Sequence, residues 1–187
     1  MINKDKIVLN ESFFYLRILT DKDYTNEYKE WLNDSDINQY LETRHHIQDE
    51  NSIKTFLKQM HQSDDSYLFG IFANKGDQRI GNIKLGPIHQ KYFCADISYF
   101  IGNKTYQGKG IATKAINLIL KFAFEILNLH KIKAVYYISN KASKKCLLKN
   151  GFKIIGTFRE EVINVNGQRE DTEKVECLKV EWQEKND

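Results

Sequence analysis

Apolar residues recur along this chain with two periods, and the switching between them predicts the order of its elements. Phe13 to Leu19 is dense in aromatic and aliphatic residues and reads as a strand. Thr20-Asp21 then offers a helix start. Tyr24, Tyr28, Trp31 and Leu32 fall at helical spacing before the turn-prone run Asn33-Asp34-Ser35-Asp36. A short element over Ile37 to Arg44 follows. Asp49-Glu50 then precede the i, i+3, i+4, i+7 stripe of Ile53, Phe56, Leu57 and Met60, which predicts a second helix.

Beyond Asp64-Asp65-Ser66 the pattern changes to strands. Tyr67 to Ala73 and Arg79 to Leu85 flank a turn at Lys75-Gly76-Asp77, and Gly86-Pro87, with the only proline, is expected to stop the second strand. Tyr92 to Ile101 is the third, so the three form an antiparallel meander. Ile111 to about Asn128 is apolar almost all round, with polar residues at Lys114, Asn117, Lys121, Glu125 and Asn128, as in a helix covered on most sides. Ile132 to Ile138 is a β-branched and aromatic run. Strand, helix and strand in succession predict a parallel pair. Lys141 to Lys149 is a short helix ended by Asn150-Gly151. Lys153 to Phe158 and Val175 to Trp182 are the last strands, with a turn at Asn166-Gly167. The expected class is α/β: one domain over residues 1 to 187, whose mixed sheet has an antiparallel N-terminal part and a parallel pair, flanked by helices.

Between the third meander strand and the long helix lies a loop carrying Gly102, Gly108 and Gly110. Glycines allow close backbone approach, and a helix start offers unpaired N–H groups and partial positive charge, so this junction suits a phosphate. Two familiar phosphate loops do not fit. Five residues separate Gly102 from Gly108 and Lys109 precedes Gly110, which excludes a Walker loop, and Gly108-x-Gly110 is followed by Thr113 where a dinucleotide loop needs a small residue. The run Gln107-Gly108-Lys109-Gly110-Ile111-Ala112 instead resembles the acetyl-CoA pyrophosphate loop of the GNAT N-acetyltransferases. Two further blocks agree in order and spacing: Ala95-Asp96-Ile97-Ser98-Tyr99-Phe100-Ile101-Gly102 before the loop, and Asn140-x-x-Ser143 with Gly151-Phe152 after it. The likeness covers roughly Phe13 to Trp182. It is strongest to the branch with ribosomal-protein N-terminal and amino-sugar acetyltransferases.

The resemblance implies acetyl transfer from acetyl-CoA to a primary amine. It places Phe100, Ile101, Gly102, Gln107, Gly108, Lys109, Gly110, Ile111 and Ala112 at the cofactor, with Asn140 and Ser143 near its pantetheine arm. Asn and Ser at a helix start are equally suited to capping, and both readings stand. Asp96 occupies the family's acidic position and is either the group that takes the amine's proton, directly or through water, or a structural strand carboxylate. Glu42 is a second candidate base in the segment Tyr40-Leu41-Glu42-Thr43-Arg44, with Tyr40 and Arg44 as acceptor contacts and Arg44 suited to an anionic group. Many members protonate the departing thiolate with a tyrosine four residues before Gly-Phe. This chain has Leu147 there.

The 187 residues carry 28 basic and 25 acidic side chains, interspersed, for a net charge of +3. No basic block tracks a nucleic acid. Cys94, Cys146 and Cys177 are an odd count without CxxC spacing, as expected of buried thiols in a reducing compartment. With no apolar run long enough for a signal sequence or a membrane span, a cytoplasmic location is expected. Adjacent His45 and His46 point apart on most backbones, so no metal site is expected. The resemblance implies a small-molecule or peptide amine as acceptor: an amino sugar on a nucleotide carrier, or the N-terminus of a protein such as a ribosomal one. A non-catalytic acyl-CoA-binding sensor is the rival, and monomer and homodimer both remain open.

Overall fold

The computed structural model describes residues 2–186. Eight strands form one sheet: β1 (Val8–Asn10), β2 (Phe14–Ile18), β3 (Tyr67–Ala73), β4 (Arg79–His89), β5 (Cys94–Ile101), β6 (Lys131–Tyr137), β7 (Lys153–Ile163) and β8 (Arg169–Leu178), in the spatial order β1-β2-β3-β4-β5-β6-β8-β7. Every neighbouring pair is antiparallel except β5 with β6. The helices are α1 (Asn26–Asn33), α2 (Ser35–Asn38), α3 (Glu50–Gln62), α4 (Ile111–Lys121), α5 (Lys141–Lys149) and α6 (Lys179–Asn186).

Two apolar layers cover the sheet unequally. On one face Ile116, Ile119 and Leu120 of α4 pack on Phe69, Ile83, Ala95, Ile97, Ile132 and Val175. On the other, Tyr28, Trp31 and Leu32 of α1 and Ile53 and Leu57 of α3 pack on Leu19, Leu68 and Phe72. With both faces covered, all seven residues of β3 are buried. At the far edge β7 is exposed along almost its whole length.

Several sequence expectations needed correction. Strand β4 runs through Gly86-Pro87 to His89, because the register shifts between Leu85 and Ile88 and the proline falls where no ladder N–H is needed. The long helix changes at Phe122–Ile126 to a π-helical turn closed by Leu127 N–H to Phe122 O (3.0 Å). Consecutive Phe122, Ala123 and Phe124 are thereby all buried, which one stripe of an α-helix does not allow. The last strand ends at Leu178, opposite Lys131 at the start of β6. With no ladder partner beyond it, the chain turns helical and sets Trp182 against Phe124 at 5.6 Å. The short strand β1 was not expected. Cys94 and Cys177 are buried, whereas Cys146 is only half-buried. Burial pushes the Cys177 thiol up to about 12, so it stays protonated at neutral pH.

Candidate active site

The parallel pair is short. Cys94, Ala95 and Asp96 face Lys131, Ile132 and Lys133, and beyond these the strands part. In the ladder Ile97 to Ile101 then pair only with β4, and Ala134 to Tyr137 only with β8, so each strand turns a backbone edge to the opening, where the Ile101 carbonyl is taken by Gln107. A polyamide arm can satisfy such edges.

The loop at the mouth of this opening is held from within. Asn103 Oδ1 accepts from Thr105 N–H, and Gln107 Nε2 donates to the Ile101 carbonyl at 2.9 Å. Gly108 (φ 71°) and Gly110 (φ 77°) both sit in the left-handed region, which favours glycine. The first backbone bond of α4 runs from Lys114 N–H to Gly110 O at 3.1 Å, leaving Ile111, Ala112 and Thr113 as first-turn donors. A Cβ on Gly110 would meet nothing within 4 Å, so the approach to these donors is open. A cleft of about 470 Å³ reaches Gly110 and Thr113 and is lined also by Lys109, Lys149, Lys185 and the ion pair of Lys114 with Glu11. Open N–H donors, positive side chains and a gap with two free strand edges fit a diphosphate that carries an extended amide arm.

Gly102 has a different place. Its N–H bonds the Ile80 carbonyl at 3.0 Å, and a Cβ there would collide with the Trp31 indole, so it serves the packing of α1. The Phe100 side chain also faces α1, 6.5 Å from Tyr28, so only its backbone borders the opening. Asn140 caps α5 by accepting from Ser143 N–H at 3.0 Å, and Ser143 Oγ lies 2.9 Å from the Tyr99 hydroxyl. Tyr99 thus bridges from β5 to α5. Burial raises its pKa, so it stays protonated.

On the opposite face, Asp96 lies one step below the opening, half exposed, with Lys133 Nζ at 3.6 Å. At the rim the predicted Tyr40, Glu42 and Arg44 come together around Tyr137, which sequence reasoning missed. Tyr137 donates to Glu42 Oε1 at 2.6 Å, stacks edge-on with Tyr40 at 5.6 Å and carries the Arg44 guanidinium 5.3 Å from its ring. Burial and the Glu42 bond push the Tyr137 phenol up to about 12. Period-two alternation could have found it, since Lys133, Val135 and Tyr137 share the face opposite Ile132, Ala134 and Tyr136. Arg44 donates to the carbonyls of Leu41 (3.1 Å) and Ile163 (2.6 Å), so it staples the rim to the end of β7. Glu42 and Asp96 belong to separate clusters. Leu147, at the position of the family's tyrosine, is buried in the core. No group of three or more possible metal ligands occurs among the described residues.

Residues 14–153, well over half of the chain, match the family described as acetyltransferase (GNAT) domain. The chain belongs to the GNAT acetyltransferases. Among GNAT relatives, the probable N-acetyltransferase YjcK of Bacillus subtilis is 37% identical over 118 residues, 63% of this chain and 64% of that protein. The ribosomal protein uS5 alanine N-acetyltransferase of Escherichia coli is 28% identical over 120 residues, 62% of this chain and 59% of that protein. The solved structure of spermidine N-acetyltransferase from Vibrio cholerae with CoA and spermine superposes with a TM-score of 0.83, at 24% identity, over 92% of this chain and 99% of that one. This GNAT chain is accordingly an acyltransferase with a GNAT fold.

Proposed function

We propose that this chain transfers the acetyl group of acetyl-CoA to the primary amine of a small molecule. The observation that supports this most is the opening between β5 and β6 with the bare N-terminus of α4 at its mouth. Bound acetyl-CoA would supply an activated acyl carbon and a thiol leaving group. The first-turn N–H groups of Ile111, Ala112 and Thr113, with Lys109 beside them, hold its diphosphate, and the free edges of β5 and β6 hold its arm.

An alkylamine resembling lysine has a pKa of about 10.4 and arrives protonated at neutral pH. Asp96, below the opening and reachable from the open face, takes that proton directly or through one water, leaving a neutral nucleophile. Leu147 offers no proton, so the sulfur departs as thiolate or is protonated by water.

The rim bears on the acceptor. Arg44 was assigned to an anionic group, yet its guanidinium is engaged by two carbonyls and lies 3.7 Å from Glu42 Oε1, while the Glu42 side chain is 71% exposed. A positively charged or neutral amine suits that rim better than one anchored by phosphate. An amino sugar on a nucleotide carrier would need its phosphates held elsewhere. The relatives named above act, by their names, on a protein alanine and on spermidine, so the acceptor class varies within this fold. Among the described residues no helix is long and apolar enough to cross a membrane.

The test is thiol release from acetyl-CoA in the presence of a polyamine, a nucleotide-linked amino sugar and a peptide with a free N-terminal alanine. Release stimulated by a small amine is expected. Stimulation by the peptide alone would overturn the small-molecule reading, and CoA binding without stimulated release would overturn acetyl transfer itself.

A further inference from the structure

A second hollow, of about 390 Å³, lies at the end of the sheet away from the opening and is lined chiefly by Lys91, Tyr92, Phe93, Asn128, His130 and Lys179. That volume falls within the roughly 300–1,000 Å³ of small-ligand sites. Its walls are the turn between β4 and β5, the segment that leads into β6, and the first residue of α6.

Two aromatic rings stand open there, and neither belongs to the apolar layers of the sheet. Tyr92 is 61% exposed although one face of its ring lies against His89, with centroids 4.5 Å apart, and Phe93 is 55% exposed. Phe93 also holds φ at 51°, in the left-handed region where a turn ordinarily places glycine or asparagine. The backbone needs that conformation. The Phe93 carbonyl accepts from His130 N–H (2.7 Å) and Lys131 N–H (3.3 Å), just before Cys94 and Lys131 face each other in the parallel pair. Nothing in those bonds needs the ring, which is kept in a strained position and left half in solvent.

None of the residues lining the hollow is acidic. Lys179 Nζ is fixed by Asn128 Oδ1 at 2.7 Å, Lys91 Nζ lies 5.8 Å from the Tyr92 ring, and His130 adds an imidazole that can donate. Open ring faces with cations beside them select a flat aromatic ligand that carries an anion, because stacking needs only a π-face and ammonium groups hold phosphate as point charges. An acidic peptide would match the charges and leave the rings unused. An apolar ligand would match the rings and strip water from the ammonium groups without replacing it.

We propose that this hollow is a nucleotide site, separate from the opening between β5 and β6, in which a base stacks on Tyr92 and Phe93 while Lys91, Lys179 and His130 hold its phosphate. The inference stands apart from the acetyl-transfer reading, because binding is measured with the opening already filled.

Calorimetry with guanosine 5′-monophosphate (GMP) tests it, on the full chain saturated with desulfo-CoA so that the opening cannot take up the probe. One GMP per chain is expected, bound at least about tenfold more tightly than guanosine or inorganic phosphate, and more weakly as salt is raised. Tyr92→Ala and Lys91→Glu should each raise its dissociation constant about tenfold. Phe93→Gly separates ligand binding from packing. Glycine relieves the left-handed strain, so the melting temperature should hold or rise while GMP affinity falls. Amide hydrogen exchange should show GMP protecting residues 90–94 and 128–131. A desulfo-CoA complex that takes up no GMP would overturn the proposal. So would GMP binding indifferent to both Tyr92→Ala and Lys91→Glu, guanosine binding as tightly as GMP, or a Phe93→Gly variant that melts earlier yet binds GMP as the wild type does.

Discussion

Gly110 holds φ at 77° where the loop turns into α4, with open space where a side chain would stand. Gly110→Val would meet strain from its branched Cβ in the left-handed region and would fill part of the open space beside the start of α4. Acetyl-CoA affinity is expected to fall by at least about tenfold in a variant that stays folded. Calorimetry giving an unchanged dissociation constant would remove the loop from the phosphate site. Asp96→Asn isolates a different step. Its rate at neutral pH is expected to drop by about a hundredfold or more while acetyl-CoA binding holds, the size usual for a lost general base. The deficit should shrink as pH rises, because more of the amine is then already neutral. A wild-type rate throughout that range would leave Asp96 a partner of Lys133 and nothing more. Gly102 shows how one residue type carries two meanings. Sequence alone grouped it with Gly108 and Gly110, but its missing side chain makes room for Trp31, a contact between distant elements that no local pattern records.

Elements were legible wherever local period and burial agreed. Helix α3 begins where Asp49 and Ser52 form a capping box, and α5 runs over the residues between Asn140 and Asn150 that its pattern delimits. The misreadings share a cause. At Pro87, at Phe122–Ile126 and after Leu178, what the chain does depends on a partner strand or on the need to bury three consecutive side chains, and neither is written in the local period. The rim was half legible: Tyr40, Glu42 and Arg44 are contiguous, whereas Tyr137 joins them from a position about 95 residues later through folding alone. A similar long-range tie fixes α5. The Lys144 ammonium and the Tyr136 hydroxyl hold the Glu173 carboxyl below the usual range, linking helix, β6 and β8. A carboxyl depressed in the folded state stabilises above its unfolded pKa of about 4.3, and that contribution is lost as pH falls through the folded value. Glu173→Gln should therefore lower the melting temperature at pH 7, and the gap to wild type should close as the pH falls below the carboxylate range. A gap independent of pH would assign the loss to packing.

At the scale of the whole molecule, the sheet consists of two antiparallel blocks, β1 to β5 and β6, β8 and β7, joined by only three facing pairs at Cys94, Ala95 and Asp96. Helix α4 covers both blocks, while α1 and α3 cover only the first, so the second block keeps one face open. A ligand lying in the opening would touch both free edges at once and add bonds across the weakest seam in the sheet. Ligand binding to the native state alone stabilises it by RT ln(1 + [L]/Kd), which is about 2.7 kcal/mol at a hundredfold excess over Kd. Acetyl-CoA is therefore expected to raise the melting temperature and to slow amide hydrogen exchange on both sides of the seam, in residues 97–101 of β5 and 134–137 of β6. The first-turn amides of Ile111, Ala112 and Thr113 should be protected with them. Desulfo-CoA, which keeps the diphosphate and the arm, should reproduce this protection, because none of these contacts involves sulfur. Adenosine 3′,5′-bisphosphate lacks the arm and should leave β5 and β6 unchanged. Protection confined to α4 with every ligand would mean that the arm runs outside the opening, and the two strand edges would then need another occupant.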